Sequence, residues 1–347
     1  MSSINEVARQ AGVSPATVSR TFRTPELLSH QTRRRVLHAA AELNYQPRQR
    51  VVKVEEEPIG GEAAESLGFL YFSSDQDGSQ VNEFYAPVMM GAQAEAGRLG
   101  KHLILRTTSR FETPPEMPKM FREQSVAGML LVGAALPEVL AAYDPYLSPA
   151  VLVDNRDPLG RHDCILSDGF GGMLSATQYL LELGHRRIAF IQDEPTAPSF
   201  RDRQRGYLCA LWEAGIVPCP DWIVSATRHS PLEPYLQPLL SGPESPTAIV
   251  AANDMNAFAV LSACRALGLS VPKDLSVIGF DDATFSVHSY PALTTVRVNK
   301  GQMGRLAVRQ LTARIEEARE GATPLPSAIF VVPVSLVERE SCAPPRH

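Results

Sequence analysis

Apolar residues recur at helical spacing from the start of the chain. In Ser3–Phe22 (SINEVARQAGVSPATVSRTF), Ile4, Val7, Ala8 and Ala11 fall on one face. Ser3 and Glu6 have the spacing of a capping box, which predicts a helix start. Gly12 ends that helix, because glycine takes the left-handed backbone freely. Ser14 is a good N-cap and Pro15 suits the first helical position. A second helix is therefore predicted through Phe22, with Val18 and Phe22 on its inner face. A third helix, capped by Ser29, is predicted to about Asn44, with Val36, Leu37, Ala40 and Leu43 as its apolar face.

From Leu67 the pattern changes to short apolar runs alternating with helical periods. The predicted strands are 67–72, 102–106, 128–132, 150–154, 187–192, 222–224, 248–252, 276–280 and 328–336. The predicted helices are 87–99, 118–124, 137–147, 170–183, 202–213, 232–240, 256–267 and 300–319. Buried strands alternating with helices predict parallel sheets covered on both faces. The fold class is an N-terminal all-α helix-turn-helix headpiece followed by a two-lobed α/β domain. The expected boundaries are 1–47 for the headpiece, 48–66 for a linker and 67–340 for the two lobes. One lobe is expected to take 67–162 with 293–325, the other 163–292 with 326–340.

Charge sharpens this division. The chain of 347 residues carries a net charge of −5, but residues 1–54 carry +6 and the remainder −11. A basic amino-terminal module on an acidic body is the electrostatic footprint of a nucleic-acid binder; its alternative is a solvated basic face. The five cysteines are scattered and none forms a C-x-x-C pair, so reduced thiols are expected, with no metal site and no cofactor. No run approaches the roughly 18 apolar residues of a membrane span, and no secretory signal opens the chain. A cytoplasmic protein is expected.

Two short helices joined by a tight glycine turn make a helix-turn-helix unit or an ordinary helical hairpin. In the first reading the second helix enters the major groove of double-stranded DNA. Pro15, Ala16 and Arg20 would face base edges, Arg20 bonding guanine. Ser14, Thr17 and Ser19, near the amide end of that helix, would hold phosphates. The run VARQAGVSPATVSR closely resembles the start of the lac repressor/galactose repressor family. GHRRIAFIQ, RQRGY, AANDMNAFAV, LGLSVPKDLSVIGFDD and PALTTVRV resemble that family's effector domain, which has the fold of periplasmic sugar-binding proteins. Together the motifs span nearly the whole chain. The resemblance implies a homodimer on a pseudo-palindromic operator. It also implies a hinge helix with a leucine wedged into the minor groove. Here Val54 stands where that leucine would be, and Glu55, Glu56 and Glu57 follow. A flexible linker and a shorter valine wedge are both compatible with this departure.

Ligands of open α/β sheets bind at the carboxyl ends of strands. Asp154, Asn253, Asp254, Asp281 and Asp282 follow predicted strands, Arg203 lies in helix 202–213, and Phe84 with Tyr85 precedes the first helix. Each has a plainer reading: Asn253 and Asp254 as helix caps, Phe84 as core, the arginine as a surface partner. The resemblance implies effector contacts by the aromatic pair Phe84 and Tyr85, by Arg203 three residues before Gly206, by Asn253 and by Asp281, with Asp154 as a strand-end aspartate. Trp222 is a further candidate platform, while Asp168 reads as a cap and His185 as structural. Acids, amides and stacking rings suit a carbohydrate; a nucleobase, and a sugar acid with Arg203 as its carboxylate partner, are the alternatives. The expected function is a DNA-binding transcription regulator, most simply a repressor, controlled by a small molecule. A regulator without effector control, an activator and a sugar-active enzyme are the alternatives. No nucleophile elbow, phosphate loop or metal cluster supports the enzyme.

Overall fold

A computed structural model describes residues 4–23, 30–43, 45, 66–74, 81–110, 125–143, 149–193, 195–226, 231–321 and 325–346. Most of the expected linker, with Val54, and the expected helix 118–124 lie outside the described residues. The chain divides into two units, Met1–Pro58 and Ile59–His347.

In the first unit, α1 (Ile4–Ala11), α2 (Pro15–Arg23) and α3 (His30–Glu42) pack around Val7, Ala8, Ala11, Val18, Val36, Ala39 and Ala40. Gly12 takes φ +64° between α1 and α2, and the Val13 amide donates back to the Ala8 carbonyl at 3.0 Å. Leu37, expected in this core, is exposed, and Ala39 takes its place. Positions 36, 39, 40 and 43 share one face at i, i+3, i+4, i+7, whereas 37 is turned about 100° away.

In the second unit the described elements run β1 (Ser66–Ser73), α4 (Tyr85–Arg98), β2 (His102–Ser109), β3 (Met129–Val132), α5 (Pro137–Tyr143), β4 (Ala150–Val153), β5 (Asp163–Ser167), α6 (Gly169–Glu182), β6 (Ile188–Gln192), α7 (Pro198–Glu213), β7 (Ile223–Ser225), α8 (Glu233–Leu239), β8 (Ala248–Ala251), α9 (Asp254–Ala266), β9 (Ser276–Ile278), β10 (Thr295–Val298), α10 (Lys300–Arg319), β11 (Ile329–Val332) and β12 (Val334–Val337). A six-stranded parallel sheet has the order β11-β5-β4-β3-β1-β2, and a four-stranded parallel sheet the order β7-β6-β8-β9. Strands β10 and β12 pair antiparallel, and bridges Ile278–Thr294 and Asp281–Arg297 set β10 beside the second sheet. Helices fill most of the described crossovers, whereas residues 154–162 join the parallel neighbours β4 and β5 without one.

Three expectations about the lobes need correction. Strand β10, placed above with the first lobe in 293–325, sits beside the second sheet, and the chain returns to the first lobe only at α10. Strands β5 and β11, assigned above to the second lobe, belong to the first sheet, where they are neighbours in the ladder. The run 328–336 is two strands in different sheets, because Pro333 has no N–H to continue a ladder. The chain passes between the lobes at three places: after β5, between β10 and α10, and at Pro333. Ser167 pairs with Val332 and Val298 with Val334, so the three passages run side by side.

Helix α10 seals the first lobe against α4. Their backbones meet so closely that a Cβ on Gly304 would lie 1.9 Å from the Val88 carbonyl oxygen. Buried Glu95 of α4 accepts from Arg309 at 2.8 Å and from Arg98 at 2.7 Å. These bonds hold its carboxyl down at about 2. At the other end of α10, Arg314 clamps Asp163 of β5 with two bonds of 2.6 and 2.8 Å. Among the described residues no helix is long and apolar enough to cross a membrane.

Candidate functional site

In the first unit, the serine cap and proline at the start of α2 fix the helix and leave its amide end outward. Ser14 Oγ accepts from the Thr17 amide at 3.2 Å and lies 2.9 Å from Thr17 Oγ1. The first turn holds no acidic side chain, so nothing on α2 repels an anion there. Ser14, Pro15, Ala16 and Arg20 are exposed, and Thr17 is half-buried. Arg20 follows Ala16 by four residues and so shares its face. Ser19 lies on α2, with its side chain outside the described residues, as is all of Val54.

In the second unit a chamber opens between the two lobes, with about 540 Å³ of empty space that includes open solvent. From the first lobe come Phe84, Tyr85 and Asp154; from the second come Arg203, Asn253 and Asp281. Sequence patterns far apart put them there. Asn82 accepts from the Phe84 and Tyr85 amides at 3.0 and 3.1 Å, which starts α4 and presents both rings. The two rings meet edge to face, 4.9 Å between centroids. Tyr85 Oη donates to Asp154 Oδ2 at 2.6 Å. Across the chamber, Arg203 Nη2 donates to Asp281 Oδ1 at 2.9 Å and Nη1 to the Ala252 carbonyl at 2.6 Å. Its guanidinium carbon lies 3.9 Å from the centroid of the Phe280 ring. Asn253 caps α9 through its Oδ1, which accepts from the Asn256 amide at 2.8 Å. That leaves its NH2 end for the chamber.

Asp154, Asp281 and Asp282 all have positive φ, at 56°, 115° and 49°. Such backbone is costly for non-glycine residues and is held where surrounding bonds over-determine it. Lys300 Nζ donates to the carbonyls of both Asp281 and Asp282. Burial works to raise the Asp282 carboxyl, but bonds from Arg339 (2.6 Å) and Arg297 (2.7 Å) outweigh it and hold it low. Burial pushes the Asp281 carboxyl up, opposed by Arg203 and Lys300. Two polar contacts also bridge the lobes. Glu83 Oε1 accepts from the Thr284 amide at 2.5 Å, and Arg156 donates to Asp202 at 2.7 Å.

Residues 3–48 match the family described as bacterial regulatory proteins, lacI family, and residues 177–342 match a periplasmic binding protein-like domain. The HTH-type transcriptional repressor PurR of Erwinia tasmaniensis is 32% identical, over 99% of this chain and 97% of its own length. The chain belongs to the LacI family. A LacI-family regulator from Mycobacterium smegmatis superposes with a TM-score of 0.68 at 30% identity, covering 81% of this chain and 100% of that one. The complex of the regulator CelR with cellobiose superposes at 0.67 with 27% identity, covering 98% and 100%. These relatives are regulators of transcription rather than enzymes, and this LacI-family chain is a DNA-binding transcription regulator like them.

Two candidates in this LacI-family chain do not face the inner chamber. Asp254 opens α9 but is turned inward. It accepts from Thr295 Oγ1 at 2.5 Å, Ser286 Oγ at 2.6 Å and the Ala283 amide at 2.7 Å. Burial, and then the neighbouring charge of Asp281, raise its carboxyl to about 7. It braces the turn that carries Asp281. Trp222 is half-buried against the core of the second lobe and borders a separate groove with Tyr235 and Pro238. Asp168 caps α6, accepting from the Gly171 amide at 2.8 Å. His185 is buried among Thr247, Ser276 and the Ala343 carbonyl.

The chamber also takes Tyr71, Asn82, Arg110 and Phe200, which sequence reasoning missed. Arg110 directly follows β2 and Asp193 directly follows β6, so the strand-end rule applied to every strand would have flagged both. Lys300 carries no such signal, since its role depends on the fold of a distant turn.

Proposed function

We propose that this protein is a repressor whose operator affinity is set by a small hydroxylated molecule, most simply a carbohydrate, bound between the lobes. The observation that carries the reading is the pairing inside one chamber. Tyr85–Asp154 from one lobe faces Arg203–Asp281 from the other, with the Asn253 amide beside them. Each acid shares one oxygen with a protein donor, and the mixture of donors and acceptors suits hydroxyl groups. A ligand touching both walls has different contacts when the lobes are open and closed. That differential affinity is what a switch needs. The similarity to a regulator complexed with cellobiose over nearly the whole chain supports a saccharide.

On DNA, a homodimer would set two copies of α2 in successive major grooves of a pseudo-palindromic operator, half-sites about one helical turn apart. Pro15, Ala16 and Arg20 would read bases, with Ser14, Thr17 and Ser19 on phosphates and Val54 at the centre of the site. The test is selection of binding sites from a random duplex library by the purified protein, followed by a screen of sugars for release of the recovered site. A two-fold symmetric site released by a sugar supports the reading. A sequence-specific site that no sugar weakens or strengthens removes carbohydrate control, and recovery of no sequence removes the operator.

A further inference from the structure

The second lobe carries a groove that shares no lining residue with the chamber between the lobes. It lies beside β7, the outermost strand of the four-stranded sheet, and holds about 1020 Å³ of empty space that includes open solvent. One wall is the turn Pro220–Trp222, in which the Trp222 amide donates to the Cys219 carbonyl at 3.1 Å. Trp222 is half-buried, packing on the core of the lobe and lining the groove. The other wall is α8. Its Pro234 and Pro238 are four residues apart and share one face, with Tyr235, 42% exposed, beside them. Aromatic and proline rings left open together on a surface mark a binding site rather than surplus core.

The charged groups of the groove are all of one sign. Asp221 and Glu244 are exposed on its rim, and its lining holds no lysine, arginine, asparagine or glutamine. Arg187 approaches Glu244 only to 4.0 Å, with side chains 40% and 87% exposed, so that carboxylate stays open to a second cation. Ser241 Oγ already donates to the Gln237 carbonyl at 2.5 Å. This chemistry selects among occupants. A saccharide stacked on Trp222 needs donors as well as acceptors around its hydroxyls, and the lining offers mostly acceptors. An added β-strand needs a ladder, and β7 gives it three residues. A polyproline II segment needs neither. Its backbone is preformed, and its rings pack on aromatic side chains. The two carboxylates complement a cationic flank on such a segment.

We propose that this groove docks a proline-rich, basic segment of a partner protein. Its prolines lie against Trp222, Tyr235 and Pro238, and an arginine or lysine beside them meets Asp221 or Glu244. Because the groove and the chamber have no residue in common, such a partner and an effector can occupy the domain together.

The test uses full-length protein carrying Trp212→Phe, which leaves Trp222 as its one tryptophan. Trp212 is 63% exposed, so folding should survive the change. The probes are a short oligoproline with an arginine at each end, the same oligoproline with a glutamate at each end, a glycine–serine peptide with the arginines, and cellohexaose. Trp222 fluorescence follows binding, and calorimetry repeats each titration so that a silent complex is not missed. The arginine-flanked oligoproline is expected to bind at least about tenfold tighter than either peptide control. Adding Tyr235→Ala is expected to weaken it by about tenfold. Adding Asp221→Asn with Glu244→Gln instead is expected to bring the arginine- and glutamate-flanked forms to equal affinity. Equal binding of the glycine–serine peptide makes the contact electrostatic alone and overturns the proposal. Tighter binding of cellohexaose makes Trp222 a saccharide platform and overturns it as well, as does failure of every probe to bind. If Tyr235→Ala leaves the oligoproline affinity unchanged, the peptide sits elsewhere; if it shifts the sedimentation of the peptide-free protein, the groove is a contact between copies. Either result removes the site.

Discussion

The headpiece and the effector domain place candidate binding residues in opposite ways. In the headpiece they lie within one short helix, and a core of small side chains such as Ala8, Ala39 and Val18 serves only to hold that helix. In the effector domain the residues of one chamber come from positions as far apart as Phe84 and Asp281, and two sheets are needed to bring them together. A surface displayed on a helix is tuned by single exposed substitutions. A chamber assembled from buried pairs is not, because each partner is also part of the fold.

The largest expected effect follows from that coupling. Asp281→Ala strands the Arg203 guanidinium, only 2% exposed, without its carboxylate. A loss of about 3–5 kcal/mol is expected. Urea unfolding followed by tryptophan fluorescence measures it cleanly, since both tryptophans, Trp212 and Trp222, lie in the effector domain. The variant should lose effector response and keep operator binding under conditions where it stays folded. A stability equal to the parent protein would break the contrast.

Arg20→Ala tests the other half. The side chain is exposed, so stability should not move, while specific binding should weaken by about 1–3 kcal/mol and nonspecific binding far less. Equal losses on operator and random duplex in a gel-shift titration would remove the base-reading role.

Asp254 sharpens the comparison through pH. Its carboxyl titrates at about 7 in the fold, against 3.8 ordinarily. The folded protein therefore holds this proton more tightly than the unfolded chain. Its contribution to stability is complete at the acid end and is lost as pH rises from about 4 to 7. Asp254→Asn carries no such titration. Its melting temperature relative to the parent should rise between pH 4.5 and 7.5; parallel melting curves would show that Asp254 does not titrate in this window.

The smallest effect is expected at the interlobe pair Arg156–Asp202, whose side chains are 40% and 20% exposed. Arg156→Ala should cost no more than about 1 kcal/mol and shift effector affinity by only a few-fold. A change as large as that of Asp281→Ala would mean that the lobes are held together at their rim rather than at the chamber.

Sequence periodicity was most legible where one element did one thing. The helix expected at 300–319 is α10 to the residue, and the capped pair α1–α2 follows from Ser14, Pro15 and Gly12 alone. It was least legible where direction or partner mattered. A carboxylate after a strand was visible at Asp254, but not that it turns toward Ser286 and Thr295. The run 328–336 was visibly strand, but two sheets share it. Arg110 and Asp193 sat in plain view at strand ends; Lys300 was invisible because the carbonyls it holds belong to a turn nearly twenty residues away.

The three side-by-side passages between the lobes have one more consequence. Bodies joined along a single line can swing about it, but they resist sliding or twisting apart. On the proposed reading, whatever occupies the chamber would be converted into an opening angle, and its chemical identity would go no further. Two different molecules that set the same angle would be indistinguishable to the rest of the protein. All discrimination has to be exercised by the chamber walls, before the swing begins.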